Sequence, residues 1–159
     1  RVARVHDHRF RHFQLQPLSA PAHADQHPAR LASMRSAMTV CTGTKEQWVA
    51  LFAPDGVVED PVGPSMFDPE GKGHHGPEGI GAFWDAAISM VDSFHFTIND
   101  SHANGNVCAN VGTMSTRMAT TGIDTDLVMI YTVTEDDLVA SMRAYWNPDR
   151  AIATMRSES

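Results

Sequence analysis

The stretch WVALFAPDGVVEDPVG, from Trp48 to Gly63, decides the fold that this sequence predicts. A short helix comes first, because Thr44 and Gln47 just upstream have the spacing of a capping box and the apolar residues of WVALF share one helical face. GVVEDP then predicts a brief strand, which Pro61 stops because proline cannot donate to a sheet ladder. The chain thus passes from helix to strand and ends that strand on a carboxylate, Asp60.

Further helices are predicted on both sides of this stretch, and strands follow them. Apolar residues recur at three- and four-residue steps from Leu31 to Cys41, which predicts an amphipathic helix that Gly43 ends. Residues 63–76 have the composition of a loop, and GPEGIGAFWDAAISM predicts a third helix with Pro77 in its first turn. Four β-like runs complete the pattern: residues 94–102, 107–118, 124–133 and 138–146.

The joints between these runs predict how the strands pair. Asn104-Gly105, Thr121-Gly122 and residues 135–137 are short and turn-like, so we expect consecutive antiparallel strands. Helices first and a strand meander afterwards predict an α+β domain, in which the helices cover one face of a curved antiparallel sheet.

The other face of the sheet is also apolar near its centre. Along residues 126–133, Val128 and Ile130 alternate with a second apolar series that faces the opposite way. An apolar outer face is unfavourable in water unless another surface buries it, and a symmetric second copy is the simplest such surface. We therefore expect a homodimer through the sheet.

Composition and charge bound the domain organisation and the partners. The 159 residues are 42% hydrophobic, which fits one globular domain over residues 29–159 behind a basic, His- and Pro-rich N-terminal extension, residues 1–28. Beyond Arg30 the chain carries seven basic against seventeen acidic residues. A body that acidic repels phosphate backbones and anionic membrane surfaces, so we expect no nucleic-acid or membrane partner.

Several other classes of protein and site are not indicated. No window of eighteen apolar residues and no signal-peptide core occurs, so we expect a soluble, cytoplasmic protein.

Cys41 and Cys108 are too few for a disulfide framework or a zinc site and predict two buried thiols. The histidines, including the pair His74-His75, lack a third ligand at metal-binding spacing and are expected to be solvated. His95 and His102, seven residues apart on one strand, are expected on opposite faces.

The order of elements and three stretches resemble the ketosteroid isomerase-like branch of the nuclear-transport-factor-2-like (SnoaL-like) superfamily. The stretches are WVALFAPDGVVEDPVG at 48–63, GPEGIGAFWDAAI at 76–88 and VASMRAYWN at 139–147, and the likeness covers roughly residues 31–150. The insertion PSMFDPEGKGHHG is similar to one in actinobacterial steroid Δ-isomerase-like proteins. The resemblance implies a cone-shaped barrel, a curved sheet packed against three helices, and an enzyme that needs no cofactor and no metal.

By match to the E-D-P-V-G motif, the resemblance assigns Asp60 as the general base that moves a proton within a 3-oxo-Δ5 steroid. The chemistry suits a carboxylate at a strand end, because an apolar cavity raises its basicity. Glu59, next to it, should face the opposite way. The alternative is that Asp60 only caps a turn beside Pro61.

The family stabilises the enolate with a tyrosine and a protonated aspartic acid, and this sequence departs from that pattern. By ungapped counting, Ser36 takes the tyrosine position and Met129 the aspartic acid position. Met129 has no hydrogen-bond donor, and Ser36 is short. Trp84 replaces a family tyrosine on the third helix and offers an indole N–H. Asp60, Ser36 and Trp84 are therefore the candidate catalytic residues.

The resemblance also implies a pocket for a steroid-like ligand. Its predicted lining, each member of which is equally compatible with ordinary core packing, is Phe52, Phe83, Met114, Met118, Met129 and Trp146. The first hypothesis is a steroid Δ-isomerase-like enzyme, weakened by the missing donors. The alternatives are a non-catalytic carrier or sensor of a hydrophobic ligand, and a SnoaL-like cyclase or hydratase.

Overall fold

The computed structural model describes residues 12–15 and 26–159 of the chain. The helices are α1 (Pro28–Thr42), α2 (Lys45–Val49), α3 (Gly76–Phe83) and α4 (Pro148–Ile152). The strands are β1 (His12–Leu15), β2 (Phe52–Glu59), β3 (His74–His75), β4 (Ser93–Asn104), β5 (Val107–Met118), β6 (Thr121–Val133), β7 (Val139–Tyr145) and β8 (Arg156–Ser157). The predicted α+β class is confirmed.

Local sequence signals account for where the first two helices begin and end. Pro28 occupies the first turn of α1, and the backbone N–H of Gly43 donates to the carbonyl of Thr39 where this helix ends. The capping box of α2 is formed in full: the Thr44 hydroxyl accepts from the backbone of Gln47, and the Gln47 side chain accepts from the backbone of Thr44. Both predicted helix boundaries are therefore confirmed.

Helix α3 continues into a π-helical turn, Trp84–Ile88, in which the backbone N–H of Ser89 donates to the carbonyl of Trp84 at 2.9 Å. Ile80, Phe83, Trp84 and Ile88 are buried, as the predicted apolar face requires. A π turn widens the helix by one residue and is frequent at functional sites. Here it presents the second half of this helix to the inner face of the sheet.

The sheet has the order β1-β4-β5-β6-β7-β2-β3, with β8 paired to the start of β6. Strands β4 to β7 form the predicted antiparallel meander. Strands β1 and β2 pair parallel to β4 and β7, an arrangement that the joints did not predict. The joint expected at Thr121-Gly122 is wrong: both residues lie inside β6, and the turn falls on Ala119, whose φ is 52°, and Thr120.

A bulge in β4 changes which residues face inward. Ile98 pairs with Gly112, but Asp100 pairs with Val111, so Asn99 is the extra residue. The side-chain alternation therefore reverses at Asn99. His95 and His102 both lie on the outer face, and the expectation of opposite faces is wrong because period-two counting assumes an unbroken strand.

Other expectations concern the ends of the chain and its thiols. Of the predicted extension, residues 1–28, the structure describes the backbone of β1 and residues 26–28, and the other residues lie outside the described part. Cys41 and Cys108 are free and buried, as predicted. Among the described residues, no helix combines the length and the apolar character that a membrane span needs.

Gly112 provides a test of the close strand approach at the bulge. A Cβ on residue 112 would overlap the backbone carbonyl oxygen of Thr97. We expect Gly112→Ala to lower the free energy of unfolding by about 3 kcal/mol. The new Cβ and the Thr97 oxygen are each attached directly to the backbone of paired strands, so neither can move aside. Gly105→Ala is the control, with φ of 59° and open space around its Cβ, and should cost about 1 kcal/mol. Equal losses in urea unfolding would contradict this account.

Candidate functional site

A cavity of about 320 Å³ lies between the inner face of the sheet, the α3 π turn and α4. Its wall is mostly apolar and includes Phe67, Phe83, Val91, Phe94 and Met114. Its rim is formed by side chains that are more than a third exposed, namely Met66, Met90, Met118 and Ile152. An apolar space with a flexible methionine rim suits a hydrophobic ligand whose shape varies.

Asp60 lies at the inner end of this cavity. It directly follows β2, and the part of its side chain that remains accessible lines the cavity. The indole Nε1 of Trp146, which directly follows β7, donates a hydrogen bond of 2.5 Å to Asp60 Oδ1. Strands β2 and β7 are parallel neighbours, so the two residues that follow them lie close enough to form this hydrogen bond.

Burial raises the pKa of Asp60 from 3.8 to about 6, and the hydrogen bond from Trp146 opposes that rise. The other oxygen, Oδ2, has no hydrogen-bond partner among the described residues. A carboxylate with a pKa near 6 is mostly ionised at neutral pH and still basic enough to accept a proton. The arrangement can therefore take up a proton from a bound carbon acid and return it.

Glu59 faces away from the cavity, as strand alternation predicted. It accepts a 2.5 Å hydrogen bond from Arg143 Nε on the outer side of the sheet. The two adjacent carboxylates of the E-D-P motif therefore have different surroundings, and the cavity contains only the second of them.

Ser36 lies in a buried polar cluster with Trp48 and Tyr131. Its Oγ accepts hydrogen bonds from Trp48 Nε1 and from the Tyr131 hydroxyl, each at 3.0 Å, so its own proton has no acceptor among the residues that the structure describes. Burial is the largest cause that raises the pKa of Tyr131, and the nearby negative charge of Asp60 raises it further. Sequence reasoning missed Tyr131, although its inward position on β6 was predicted from the alternation.

A second buried polar cluster joins α1 to β4 and β5. Asn110 accepts from the Ser101 hydroxyl at 2.7 Å and donates to Ser33 at 3.0 Å, and Arg30 Nε donates to Ser101 at 3.1 Å. Sequence reasoning missed this cluster too. The sequence feature that indicates this cluster is the pair of polar residues, Ser101 and Asn110, at inward-facing strand positions. The bulge in β4 reverses the alternation before Ser101, so simple alternation does not place this residue on the inner face.

The predicted site residues fall into two groups. Those at the cavity are Asp60, Phe83, Met114, Met118 and Trp146. Those that are buried but do not line it are Ser36, Phe52, Trp84 and Met129. The rings of Phe52 and Trp84 lie 4.9 Å and 5.7 Å from that of Trp48, which places them in the core beside the Ser36 cluster. Met129 faces inward in the same row of the sheet as Asn110 and Ala144.

The histidines show one departure from expectation. His75 is exposed, but the ring of His74 packs 5.1 Å from that of Phe83, and burial lowers the pKa of His74. The expectation of two solvated histidines is thus wrong for His74. Within residues 12–15 and 26–159, no three His, Cys, Asp or Glu side chains come together as a metal site would require.

Solved structures with this fold include proteins of mycobacteria. RV0760c from Mycobacterium tuberculosis is 32% identical, with a TM-score of 0.74, over 82% of this chain and 96% of that one. Its complex with estradiol-17β-hemisuccinate gives 31% identity and a TM-score of 0.72 over 82% and 99%. Δ5-3-ketosteroid isomerase from Mycobacterium sp. is 28% identical, with a TM-score of 0.72, over 82% and 98%.

A comparison with curated proteins found no significant match. The model of the SnoaL-like domain matches residues 34–142, which contain α2, α3, the long strands β4–β6 and Asp60. The chain is therefore a member of the SnoaL-like family and has the nuclear-transport-factor-2-like fold.

Proposed function

We propose that the chain binds a steroid-like ketone in the cavity and shifts a proton within it, with Asp60 as the base. The observation that carries this proposal is the position of Asp60: a carboxylate with a pKa near 6 at the inner end of an apolar cavity of about 320 Å³. The likeness to RV0760c, which has been solved with estradiol-17β-hemisuccinate, and to a Δ5-3-ketosteroid isomerase supports the ligand class.

The chemical step needs one group that both accepts and returns a proton. Asp60 Oδ2 removes a proton from the carbon between the ketone and the double bond, which leaves the electron pair delocalised as an enolate. The same proton then returns to the far end of the conjugated system, and the double bond moves. The Trp146 hydrogen bond to Oδ1 holds the carboxylate in place and leaves Oδ2 for this transfer.

The enolate oxygen has few donors to receive it. Ser36 and Trp84, the proposed donors, are buried outside the cavity lining, and the Trp146 N–H is used by Asp60. Loss of one such donor commonly costs a hundredfold or more in rate, so we expect slow turnover.

A non-catalytic carrier or sensor is the second candidate, and the same observation favours it. A cavity with a hydrophobic wall, at whose inner end the described residues offer no free donor, provides affinity for an apolar ring system without stabilising an enolate. On this second proposal Asp60 contributes a polar contact to the ligand and no proton transfer.

We also propose that a second copy of the chain covers the outer face of the sheet. Val128 pairs with Val111 on one side and Tyr145 on the other, and these two neighbours are 40% and 46% exposed. Three adjacent strands therefore present a continuous apolar row, which a two-fold partner would bury.

Absorbance of the conjugated enone, followed after addition of 5-androstene-3,17-dione, tests the enzyme proposal. We expect kcat/KM to rise with pH through about 6 and then level off, because only ionised Asp60 accepts a proton. Asp60→Asn should lower it at least about 100-fold, whereas Asp126→Asn, at an exposed carboxylate on the same sheet, should leave it unchanged. Binding without turnover in the wild type would support the carrier, and absence of binding would exclude both.

The buried base should also reduce stability when it is charged. Its pKa is about 6 in the folded chain and 3.8 in the unfolded one, so stability falls as pH rises from 4 to 6. We expect Asp60→Asn, which keeps an oxygen for Trp146, to raise the free energy of unfolding by about 2–3 kcal/mol at pH 7.5 and by almost nothing near pH 4. Urea unfolding at the two pH values measures this; a gain of the same size at both would contradict it.

The dimer is tested by mass in solution. Light scattering behind size exclusion at micromolar concentration should give twice the chain mass for the wild type and a monomer for Val128→Glu, because the added charge would be buried without a partner. A monomeric wild type would rule the dimer out.

A further inference from the structure

Thr125 carries a hydroxyl that none of the described residues uses. It is 4% exposed, lies on the inward face of β6 and lines the cavity. No described residue forms a hydrogen bond with its side chain. The other buried hydroxyls on the helix side differ in this respect, because Ser33 donates to the carbonyl of Arg30 and Ser36 accepts from two donors.

The hydroxyl oxygen of Thr125 faces the cavity. The side-chain polar atoms that are fully enclosed without a partner are, among the described residues, His74 Nε2 and Asp124 Oδ1. Thr125 Oγ1 is not one of them, so it retains accessible surface, and the accessible space beside this buried residue is the cavity. Around it the wall is apolar, with Met114 directly opposite on β5 and Ile123 two residues away on β6.

Thr125 and Asp60 lie at different depths in the cavity. Glu59 pairs with Arg143, so Asp60 lies beside Ala144, which in turn pairs with Met129. Thr125 is four residues from Met129 toward the rim, which is about 14 Å along the strand at about 3.4 Å per residue. The apolar space therefore has the Asp60 carboxylate at its inner end and, well toward its mouth, a hydroxyl that no described residue engages.

We propose that the Thr125 hydroxyl binds a second oxygen of the ligand, at the end of the ring system remote from Asp60. This rests on the proposed steroid-like ligand and specifies it further: the preferred ligand is an elongated, rigid ring system oxygenated at both ends. An unpaired hydroxyl in an apolar wall gains a hydrogen bond from such an oxygen and gains nothing from a hydrocarbon end. Thr125 is thus a specificity-determining residue rather than a catalytic one.

Two stable enones that differ in one oxygen test the proposal. 4-Androstene-3,17-dione has the remote oxygen, and 4-androsten-3-one lacks it. Both are already conjugated, so binding is measured without turnover, and calorimetry or quenching of the fluorescence of the three tryptophans gives both Kd values. Thr125→Val should weaken binding of the dione about five- to tenfold, the worth of one neutral hydrogen bond, and leave that of the monoketone within about twofold. Thr125→Ser should retain the wild-type preference.

Thr116→Val is the matched control. Thr116 lines the same cavity, but its hydroxyl donates to the carbonyl of Ile123 at 3.4 Å, so its loss should change both Kd values by the same factor. If Thr125→Val also changes both equally, or neither, the role of Thr125 is overturned while the steroid ligand stands. If the wild type binds neither enone, the ligand class fails and the inference about Thr125 fails with it. Binding of both without isomerase activity removes the catalytic proposal alone.

Discussion

The hydrogen bond between Trp146 and Asp60 is the interaction on which the site depends. Placing a carboxylate in an apolar cavity costs free energy. Among the described residues, the indole N–H of Trp146 is the hydrogen-bond partner of Asp60 Oδ1. Because β2 and β7 are neighbours and run parallel, the residues that follow them meet at the same end of the sheet. The pairing of the second strand with the last long strand therefore creates the site, although these strands lie some eighty residues apart in sequence.

The shape of the sheet determines how deep the cavity reaches. The bulge at Asn99 and the close approach at Gly112 curve the long strands β4 and β5, and the π turn after α3 covers the space that results. Beyond Asp60 the interior is closed by buried side chains, among them Met129, and by the two polar clusters that hold α1 on the sheet. The polar groups at that end are thus committed to packing the helix.

Local signals predicted the elements well, and long-range register was beyond them. The capping box at Thr44, the stop at Gly43 and the alternation around Met129 each depend on neighbours in sequence, and each is present in the structure. The parallel pairings of β1 and β2 depend on contacts between strands that are far apart in sequence. The bulge and the turn at Ala119 depend on the register between neighbouring long strands, which residue composition alone does not define. The same distinction holds in the site: the motif located Asp60, whereas the cluster of Ser36 with Tyr131 required three dimensions.

The departure from the family's donor pattern, which the sequence predicts, has a structural counterpart in Tyr131. The Tyr131 hydroxyl does approach Ser36, but Tyr131 belongs to the sheet, and its hydroxyl proton is donated to Ser36 Oγ. The hydrogen bonds of Ser36 are therefore made inside the cluster, and Met129 has only an apolar side chain in the row of Asp60. Interactions that are equal for ketone and enolate increase affinity without increasing rate. Under the proposed function, such a cavity would bind the ring system, and Asp60 would be the one group at its inner end, among the described residues, that distinguishes the transition state from the bound ligand.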